Sequence, residues 1–408
     1  MIYLNGNGKL QSSASFELRL WISYNATIED LSNKTYTSRI VVNAKPAITT
    51  EPNWNAQPNT LLYAIEHGNY IYLNEPLTIP AQSKNALSEN VISKTEDDYG
   101  TSFYFRGNIK NNYVIFANRC WKIVRVNGDG SIKIWLWNND STDCKVTNTP
   151  NSMYLGSTIL YNKDSGGTGK VRQTASGIGF MYGKPDSTTL YTLDNTGAQD
   201  NVTDNTMLKN LKSWYDNAFE TSDNANPFKY TNLLADTIWC GDKSISSGKG
   251  YGQYKDAPTY FMPVSRVSVE FTPSLICPEF GLDGKISKYT AQDVINGNGM
   301  LKTTINENTK YYKIGLLTAD EAAFAGGKVG NNGANNNYYL YTGYNYWTMS
   351  ANRFDSNRCI GYVVRQKGYL SNYDVNSNFK MNPTISLIPT VSITSGDGTV
   401  NNPYVINV

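Results

Sequence analysis

Histidine, concentrated charge and long apolar runs are all scarce in this 408-residue chain. His67 is its only histidine, and none of its five cysteines forms a C-x-x-C pair, so no zinc site is expected. Charged residues make up 17% of the chain and the net charge is +2. This charge is too small and too dispersed for nucleic-acid binding, which needs a concentrated basic face.

The sequence as given also shows neither a membrane-spanning segment nor a leader. No stretch approaches the roughly 18 apolar residues of a membrane span. The opening MIYLNGNGKLQ lacks the basic and apolar segments of a signal peptide. Two alternatives follow: a cytoplasmic chain, or part of an exported protein whose leader lies elsewhere.

The cysteine pattern favours the exported alternative. Cys120 with Cys144 and Cys240 with Cys277 are candidate disulfides that flank long loop-like regions. Other connectivities, and five reduced thiols, remain open from the sequence. We therefore expect an extracellular or cell-surface location, with no cofactor and no metal.

Strand patterns dominate the chain. Residues 15–23 and 35–44 read as two strands, which cannot form a core by themselves and predict a partial β segment or arm over residues 1–44. Such an arm is suited to strand pairing with a partner. Residues 45–97 read as a linker containing a short helix, and residues 98–408 as the main domain. The fold class predicted is α+β, mostly β, with two main helices and long loops.

Within the main domain, three strands are predicted at 113–117, 120–126 and 131–137, and a helix is predicted at 204–219. IGLL (314–317) reads as a short strand before a helix, and further strands are predicted at 346–350, 359–365, 384–393 and 403–408. Thr318 and Glu321 form a predicted capping box, and Gly326 is predicted to end that helix.

The segment LLTADEAAFAGG (316–327), followed by YWTMS (346–350), resembles the C-type lectin-like fold as used in formylglycine-generating-type domains. FANRCWKIVRVNGDGSIK, ADTIWCGDKS and PSLICPE are similar to segments of gut Firmicutes surface proteins with variable C-terminal lectin-like domains. Residues 15–23 and 35–44 resemble the closing strands of a camelysin-like β-sandwich. The resemblance covers most of residues 98–408.

Several such lectin-like domains are targets of diversity-generating retroelements. In these systems the adenines of a template are randomised, so that Asn codons are replaced by codons for many other residues. The resemblance implies a variable region at about 344–383, where Asn, Tyr and Ser are dense. Tyr supplies rigid contact area and Asn and Ser supply adaptable hydrogen bonds, as in antibody loops. Cys359 would then be one product of this randomisation rather than a residue selected for a role. The scaffold positions expected in this region are Trp347, Met349, Ile360, Val364 and Ile385.

The residues expected to form the ligand contacts share a place in this Asn- and Tyr-rich region. They are Tyr344, Asn345, Ala351, Asn352, Phe354, Asp355, Asn357, Arg358, Cys359, Tyr369, Ser371, Asn372, Tyr373, Asp374, Asn376 and Asn378.

The function predicted is recognition of a protein or carbohydrate ligand without chemistry, so no catalytic residue is expected. Two alternatives remain open. One is an enzyme of the formylglycine-generating type, which would need a reactive cysteine pair. The other is a structural module of a bacterial surface fibre, with the N-terminal strands completing a neighbour's sheet.

Overall fold

The computed structural model describes residues 52–72, 91–139, 142–145, 159–160, 206–219, 229–247, 258–278, 288–291, 302–305, 308–330, 335–355, 358–375 and 377–408. The chain divides into two compact units, residues 1–52 and 53–408, and the description below concerns the second. The strands predicted at 15–23 and 35–44, and hence the proposed β segment over 1–44, lie outside the described residues.

The second unit consists mostly of strands, with few helices and a sheet curled into a half barrel. This confirms the predicted mostly-β character. In chain order the described strands are β1 (Ile71–Tyr72), β2 (Val91–Asp97), β3 (Gly100–Arg106), β4 (Tyr113–Phe116), β5 (Arg119–Val126), β6 (Ile132–Asn138), β7 (Ile159–Leu160), β8 (Trp239–Cys240), β9 (Ile245–Ser247), β10 (Thr259–Phe261), β11 (Lys288–Tyr289), β12 (Lys302–Ile305), β13 (Asn308–Tyr311), β14 (Lys328–Val329), β15 (Tyr346–Asp355), β16 (Arg358–Val364), β17 (Tyr369–Asp374), β18 (Asn378–Phe379), β19 (Thr384–Leu387), β20 (Ile393–Ser395) and β21 (Tyr404–Ile406).

The helices are short apart from one. They are α1 (Leu61–Glu66), α2 (Thr206–Phe219), α3 (Met262–Val264) and α4 (Ala319–Phe324), with a 3-10 turn at Thr231–Leu233 and a π-helical turn at Ser265–Val269. Two of these confirm sequence predictions. α2 falls within the helix predicted at 204–219 and buries Leu208, Leu211 and Trp214, and α4 begins at the predicted capping box. Residues 204 and 205, with which the predicted helix begins, lie outside the described residues.

Two larger sheets organise the described strands. One has nine strands, with β1-β2-β3-β5-β4-β21-β20 along its path and β6 joining β5 to β19. The other has six, in the order β14-β17-β16-β15-β10-β9. The first sheet includes the three strands predicted at 113–117, 120–126 and 131–137. NGDG (127–130) joins β5 to β6, in a turn closed by a 2.9 Å bond from the Gly130 N–H to the Asn127 carbonyl.

The predicted boundary near residue 98 is wrong, because the core begins earlier. Leu61, Leu62 and Ile65 of α1 are buried in the main core, and the Trp54 ring lies 5.2 Å from that of Phe103. β2 pairs along its whole length with β3. Residues 53–72 and 91–97 therefore belong to the folded unit and are not a linker.

Two predicted strands are also corrected. Residues 314–317 form only an isolated bridge, between Gly315 and Thr384. The run 384–393 is not continuous, because the strand ends at Leu387 and a turn precedes β20. Residues 314–317 are all buried, and burial without ladder pairing satisfies their apolar pattern equally well.

Asn382 lies two residues before the start of β19. Its side chain is buried, and its Nδ2 donates to the Leu136 carbonyl at 3.2 Å. The Pro383 carbonyl accepts the Leu136 N–H at 2.9 Å. The Asn382-Pro383 pair thus ties the entry to β19 to β6.

The buried ion-pair network beneath α4 consists of Glu321, Lys133, Arg125 and Asp97. Glu321 Oε1 accepts from Lys133 Nζ at 2.6 Å and from Arg125 Nε at 3.1 Å, while Arg125 also donates to Asp97 at 2.6 Å. All four side chains are less than one-tenth exposed. The network links the capping box of α4 to neighbouring strands β5 and β6 and to the end of β2.

The turn between β16 and β17 requires glycine at position 368. Gly368 has φ +79°, and a Cβ built there would lie 1.9 Å from the Asn335 carbonyl oxygen. We expect Gly368→Ala to lower the free energy of unfolding by about 2–3 kcal/mol, since left-handed strain and a backbone clash add. Gly330→Ala is the matched control, because Gly330 has φ +104° but open space around it. Urea unfolding should show a clearly smaller loss there, and equal losses would refute the clash.

Candidate functional site

The predicted contact residues are distributed over both faces of the six-stranded sheet. Antiparallel registry places Trp347, Val363 and Ser371 side by side, and pairs Tyr362 with Asn372. Because side chains alternate along a strand, Ser371 and Tyr373 share the face of Trp347, whereas Asn372 and Asp374 share the face of Tyr362. We call these the Trp347 face and the Tyr362 face.

An aromatic ladder runs outward on the Trp347 face. It consists of Trp347, Phe379 and Tyr373, with ring centroids 5.1 Å apart for Trp347–Phe379 and 4.9 Å for Phe379–Tyr373. Trp347 is 1% exposed and Tyr373 is 38% exposed, so the ladder leads from the core to the surface. The Arg365 guanidinium lies 4.3 Å from the Tyr373 ring centroid, in a cation–π contact.

This arrangement gives Tyr373 a fixed base and a solvent-facing ring. Ser371 is half-buried on the same face, and Asn378, beside Phe379, is exposed. A supported aromatic ring with nearby hydroxyl and amide groups can bury apolar area and direct hydrogen bonds at little cost in side-chain entropy.

The Tyr362 face is polar but more enclosed. Arg353 donates to the Asn372 side chain at 3.3 Å, and its guanidinium lies 5.9 Å from the Tyr260 ring centroid. The Tyr362 hydroxyl is 2.6 Å from that of Ser268 in the π-helical turn, and burial raises the pKa of Tyr362. Most of the polar groups named on this face are therefore engaged with one another.

Three predicted contact residues are buried and are corrected here. Ala351, Asn352 and Cys359 are each 2% exposed. Ala351 and Asn352 belong to β15, between β16 and β10, whereas Cys359 belongs to β16, between β15 and β17, so all three lie on interior strands of the sheet. Cys359 takes part in neither disulfide, and its carbonyl accepts the Val375 N–H at 2.9 Å.

The remaining predicted contacts are distributed as follows. Tyr344, Asn345, Tyr369, Ser371, Asn372 and Asp374 are half-buried, while Tyr373 and Asn378 are exposed. Phe354, Asp355 and Arg358 belong to β15 and β16, whereas Asn357 and Asn376 lie outside the described residues. The five expected scaffold residues are all buried, which confirms that part of the prediction.

The sequence prediction missed Arg365, Phe379 and Arg353. Arg365 directly follows β16, and its stacking on Tyr373 depends on the β16–β17 hairpin. Phe379 reaches the ladder from β18. A basic or aromatic residue flanking an Asn- and Tyr-rich strand was the available signal, but it does not reveal which face the side chain joins.

Family models, curated proteins and solved structures provide no match to this chain. Two disulfides are present, Cys120–Cys144 and Cys240–Cys277, and both confirm the predicted pairings. Across the described ranges, no helix is long and apolar enough to cross a membrane. Nor does that part of the chain bring three or more His, Cys, Asp or Glu side chains together as metal ligands.

Proposed function

We propose that this chain is an extracellular or cell-surface binding protein whose contact surface is built on the Trp347 face of a C-type lectin-like scaffold. The observation that carries the proposal is Tyr373, exposed to solvent yet held by Phe379 and Arg365. Recognition surfaces are enriched in such rigid, amphipathic aromatics surrounded by adaptable polar groups. The two disulfides support an oxidising location.

Binding is favoured over the formylglycine-generating alternative by the cysteines. Four of the five cysteines form disulfides and the fifth, Cys359, is buried. The pair of adjacent thiols that such an enzyme would need is therefore lacking. The fibre-module alternative depends on residues 1–44, and concentration-dependent polymerisation of the full chain is its test.

Tyr373→Ala is expected to weaken ligand binding by about tenfold or more, as truncation of a central aromatic contact does. The measurement is binding of the purified chain to a glycan array and to an array of secreted proteins, followed by affinities for the hits. Tyr311→Ala is the matched control, since Tyr311 is 40% exposed but lies on β13. Hits that retain full affinity for Tyr373→Ala would refute this surface.

We further propose that this surface is diversified by a retroelement. Sequencing of codons 340–385 and their flanks across isolates should reveal a nearby near-copy that differs at adenines, together with a reverse transcriptase gene. Variation is expected at exposed or half-buried positions such as Ser371, Tyr373 and Asn378. The buried Trp347 and Val363 should be constant. A constant stretch without a copy would rule out diversification while leaving the binding proposal intact.

A further inference from the structure

Arg365 is held in a fixed position beside the aromatic ladder. Its backbone N–H donates to the Tyr369 carbonyl at 2.9 Å, and its carbonyl accepts the Gly368 N–H at 2.7 Å. Both sides of the residue are therefore tied into the β16–β17 turn. At the other end of the side chain, the guanidinium lies over the Tyr373 ring, 4.3 Å from its centroid. The cation is thus oriented before a ligand arrives, which lowers the entropic cost of binding.

The guanidinium of Arg365 has no acidic partner in the part of the chain that the structure describes. Of its three nitrogens, only Nε is fully buried, and Nε makes no hydrogen bond. The side chain as a whole is half-buried, so the two Nη nitrogens at its end remain in contact with solvent. Their N–H groups lie in one plane and match the two oxygens of a carboxylate.

The charge around Arg365 is positive. Lys367 is exposed in the same turn, and Lys328 belongs to β14, which pairs with the start of β17. Asp374 is the only acidic residue of β17, and alternation places it on the Tyr362 face, away from the ladder. This side of the sheet therefore favours an anionic ligand group over a cationic one.

Ser371 lies beside the contact between Arg365 and Tyr373. On its face of β17 it stands between Tyr369, where the turn ends, and Tyr373. The Arg365 side chain spans the same distance, because its backbone is opposite Tyr369 and its guanidinium is over Tyr373. The half-buried Ser371 hydroxyl can donate or accept a hydrogen bond. A fixed cation, a hydroxyl and an exposed aromatic ring thus occupy one small area.

The apolar part of this surface is a single aromatic ring. Tyr373 is 38% exposed, and it is the only exposed large apolar side chain among those described on β14 to β18. A stable protein–protein interface buries about 800 Å² on each partner around several clustered anchors, which one ring does not supply. A small ligand such as a sugar residue needs one apolar contact and a few placed polar groups. The size of the surface therefore favours a sugar over a protein as the occupant.

We propose that Arg365, Ser371 and Tyr373 form a site for an acidic sugar residue, such as a uronic or sialic acid. The sugar carboxylate accepts hydrogen bonds from the Arg365 Nη groups, in a charge-assisted pair. The C–H groups of the sugar ring lie against Tyr373, and a sugar hydroxyl bonds to Ser371. This inference rests on the proposed function, because it names the ligand class of the same surface.

Matched glycans test the ligand side of the proposal. The purified full chain is titrated with oligosaccharides that end in glucuronic acid or N-acetylneuraminic acid, and with the same compounds after reduction of the carboxyl group to an alcohol. The acidic forms are expected to bind about tenfold more tightly, since only they form the charge-assisted pair. This comparison changes the probe alone and does not depend on the folding of a variant. A poly-glutamate peptide, which offers carboxylates without a sugar, is expected not to bind.

Variants at Arg365 test the protein side. Arg365→Gln should bind acidic and reduced glycans with equal affinity. Arg365→Lys should keep part of the preference, because the charge remains without the planar pair of donors. Lys367→Gln is the matched control, since Lys367 is exposed in the same turn and should change affinity by less than about threefold. Tyr373→Ala should weaken binding of both glycan forms.

The outcomes separate this inference from the proposed function. If Tyr373→Ala weakens binding of neutral glycans or proteins while acidic sugars bind no better than their reduced forms, the binding surface stands and the acidic-sugar site is overturned. The site is likewise overturned if neither acidic oligosaccharide binds, if poly-glutamate binds as tightly, or if Arg365→Gln keeps the preference. Ligands that all bind independently of Tyr373 would instead refute the binding surface itself.

Discussion

Glu321→Ala is expected to lower the free energy of unfolding by about 3–5 kcal/mol, the usual cost of removing one partner of a buried ion pair. Glu321 is 3% exposed at its side chain and faces Lys133 Nζ at 2.6 Å and Arg125 Nε at 3.1 Å. Without the carboxylate, the buried Lys133 Nζ loses its ion-pair partner and is left 4.7 Å from the centroid of the Trp239 ring. Arg125 keeps Asp97 but loses its second acidic partner.

The helix cap contributes a separable part of this loss. Glu321 Oε2 also accepts the Thr318 N–H at 3.0 Å, completing the capping box. Glu321→Gln retains one acceptor oxygen for that bond but removes the charge and turns an NH2 donor toward Lys133 and Arg125, so its loss should be smaller than that of Glu321→Ala by no more than about 1 kcal/mol. Glu270→Ala is the control, since Glu270 is exposed and should change stability by less than about 0.5 kcal/mol. Urea unfolding that gives similar losses for Glu321→Ala and Glu270→Ala would contradict the network's role.

Because of the Glu321 carboxylate, the free energy of unfolding is expected to decrease at acid pH. Burial alone would raise the pKa of Glu321, but Lys133 and Arg125 favour its charged form and lower the pKa to about 2. Since the folded-state pKa lies below the ordinary 4.5, this stabilisation is complete above pH 4.5 and is lost as the pH falls toward 2. Glu321→Gln should therefore show a shallower loss of stability than the wild type between pH 4.5 and 2.

Local patterns predicted the parts of the fold that local interactions determine. The strands at 113–138 are rich in Val, Ile and Trp. The residues of NGDG tolerate the backbone conformations of the tight turn that joins two of these strands. Thr318 and Glu321 are three residues apart, so their capping box can be recognised from the sequence alone. The pairing of Cys120 with Cys144 was one of the connectivities that the sequence left open, and the structure confirms it.

Elements defined by distant partners were not predictable in the same way. β8 to β11 are two or three residues each, too short for a periodic signal, and β8 and β11 pair across about 50 residues of sequence. Residues 53–60 are rich in Asn and Pro, yet Trp54 packs on Phe103. Composition described the polarity of this segment but not the contact that fixes it.

The predicted contact residues show the same difference between what local sequence predicts and what distant strand pairing determines. Density of Asn and Tyr identified residues 344–378, but it carries no information on sheet register. β10 covers the edge of β15 through pairs such as Thr259 with Phe354, nearly 100 residues apart, and this interior position accompanies the burial of Ala351 and Asn352. Alternation then places Asn372 and Tyr373 on opposite faces.

Removal of either disulfide by paired Cys→Ala substitution is expected to cost about 3–4 kcal/mol of unfolding free energy, from the loop-closure entropy of the unfolded chain. The cysteines are 24 residues apart in Cys120–Cys144 and 37 apart in Cys240–Cys277. The second should cost slightly more because its loop is longer. Thermal and urea unfolding of both paired variants, with and without reductant, measures these losses.

Cys359→Ala is the matched control, because it removes a buried thiol outside both disulfides and should cost only about 1 kcal/mol. Reductant should then destabilise the wild type and Cys359→Ala equally and leave a variant without both disulfides unchanged.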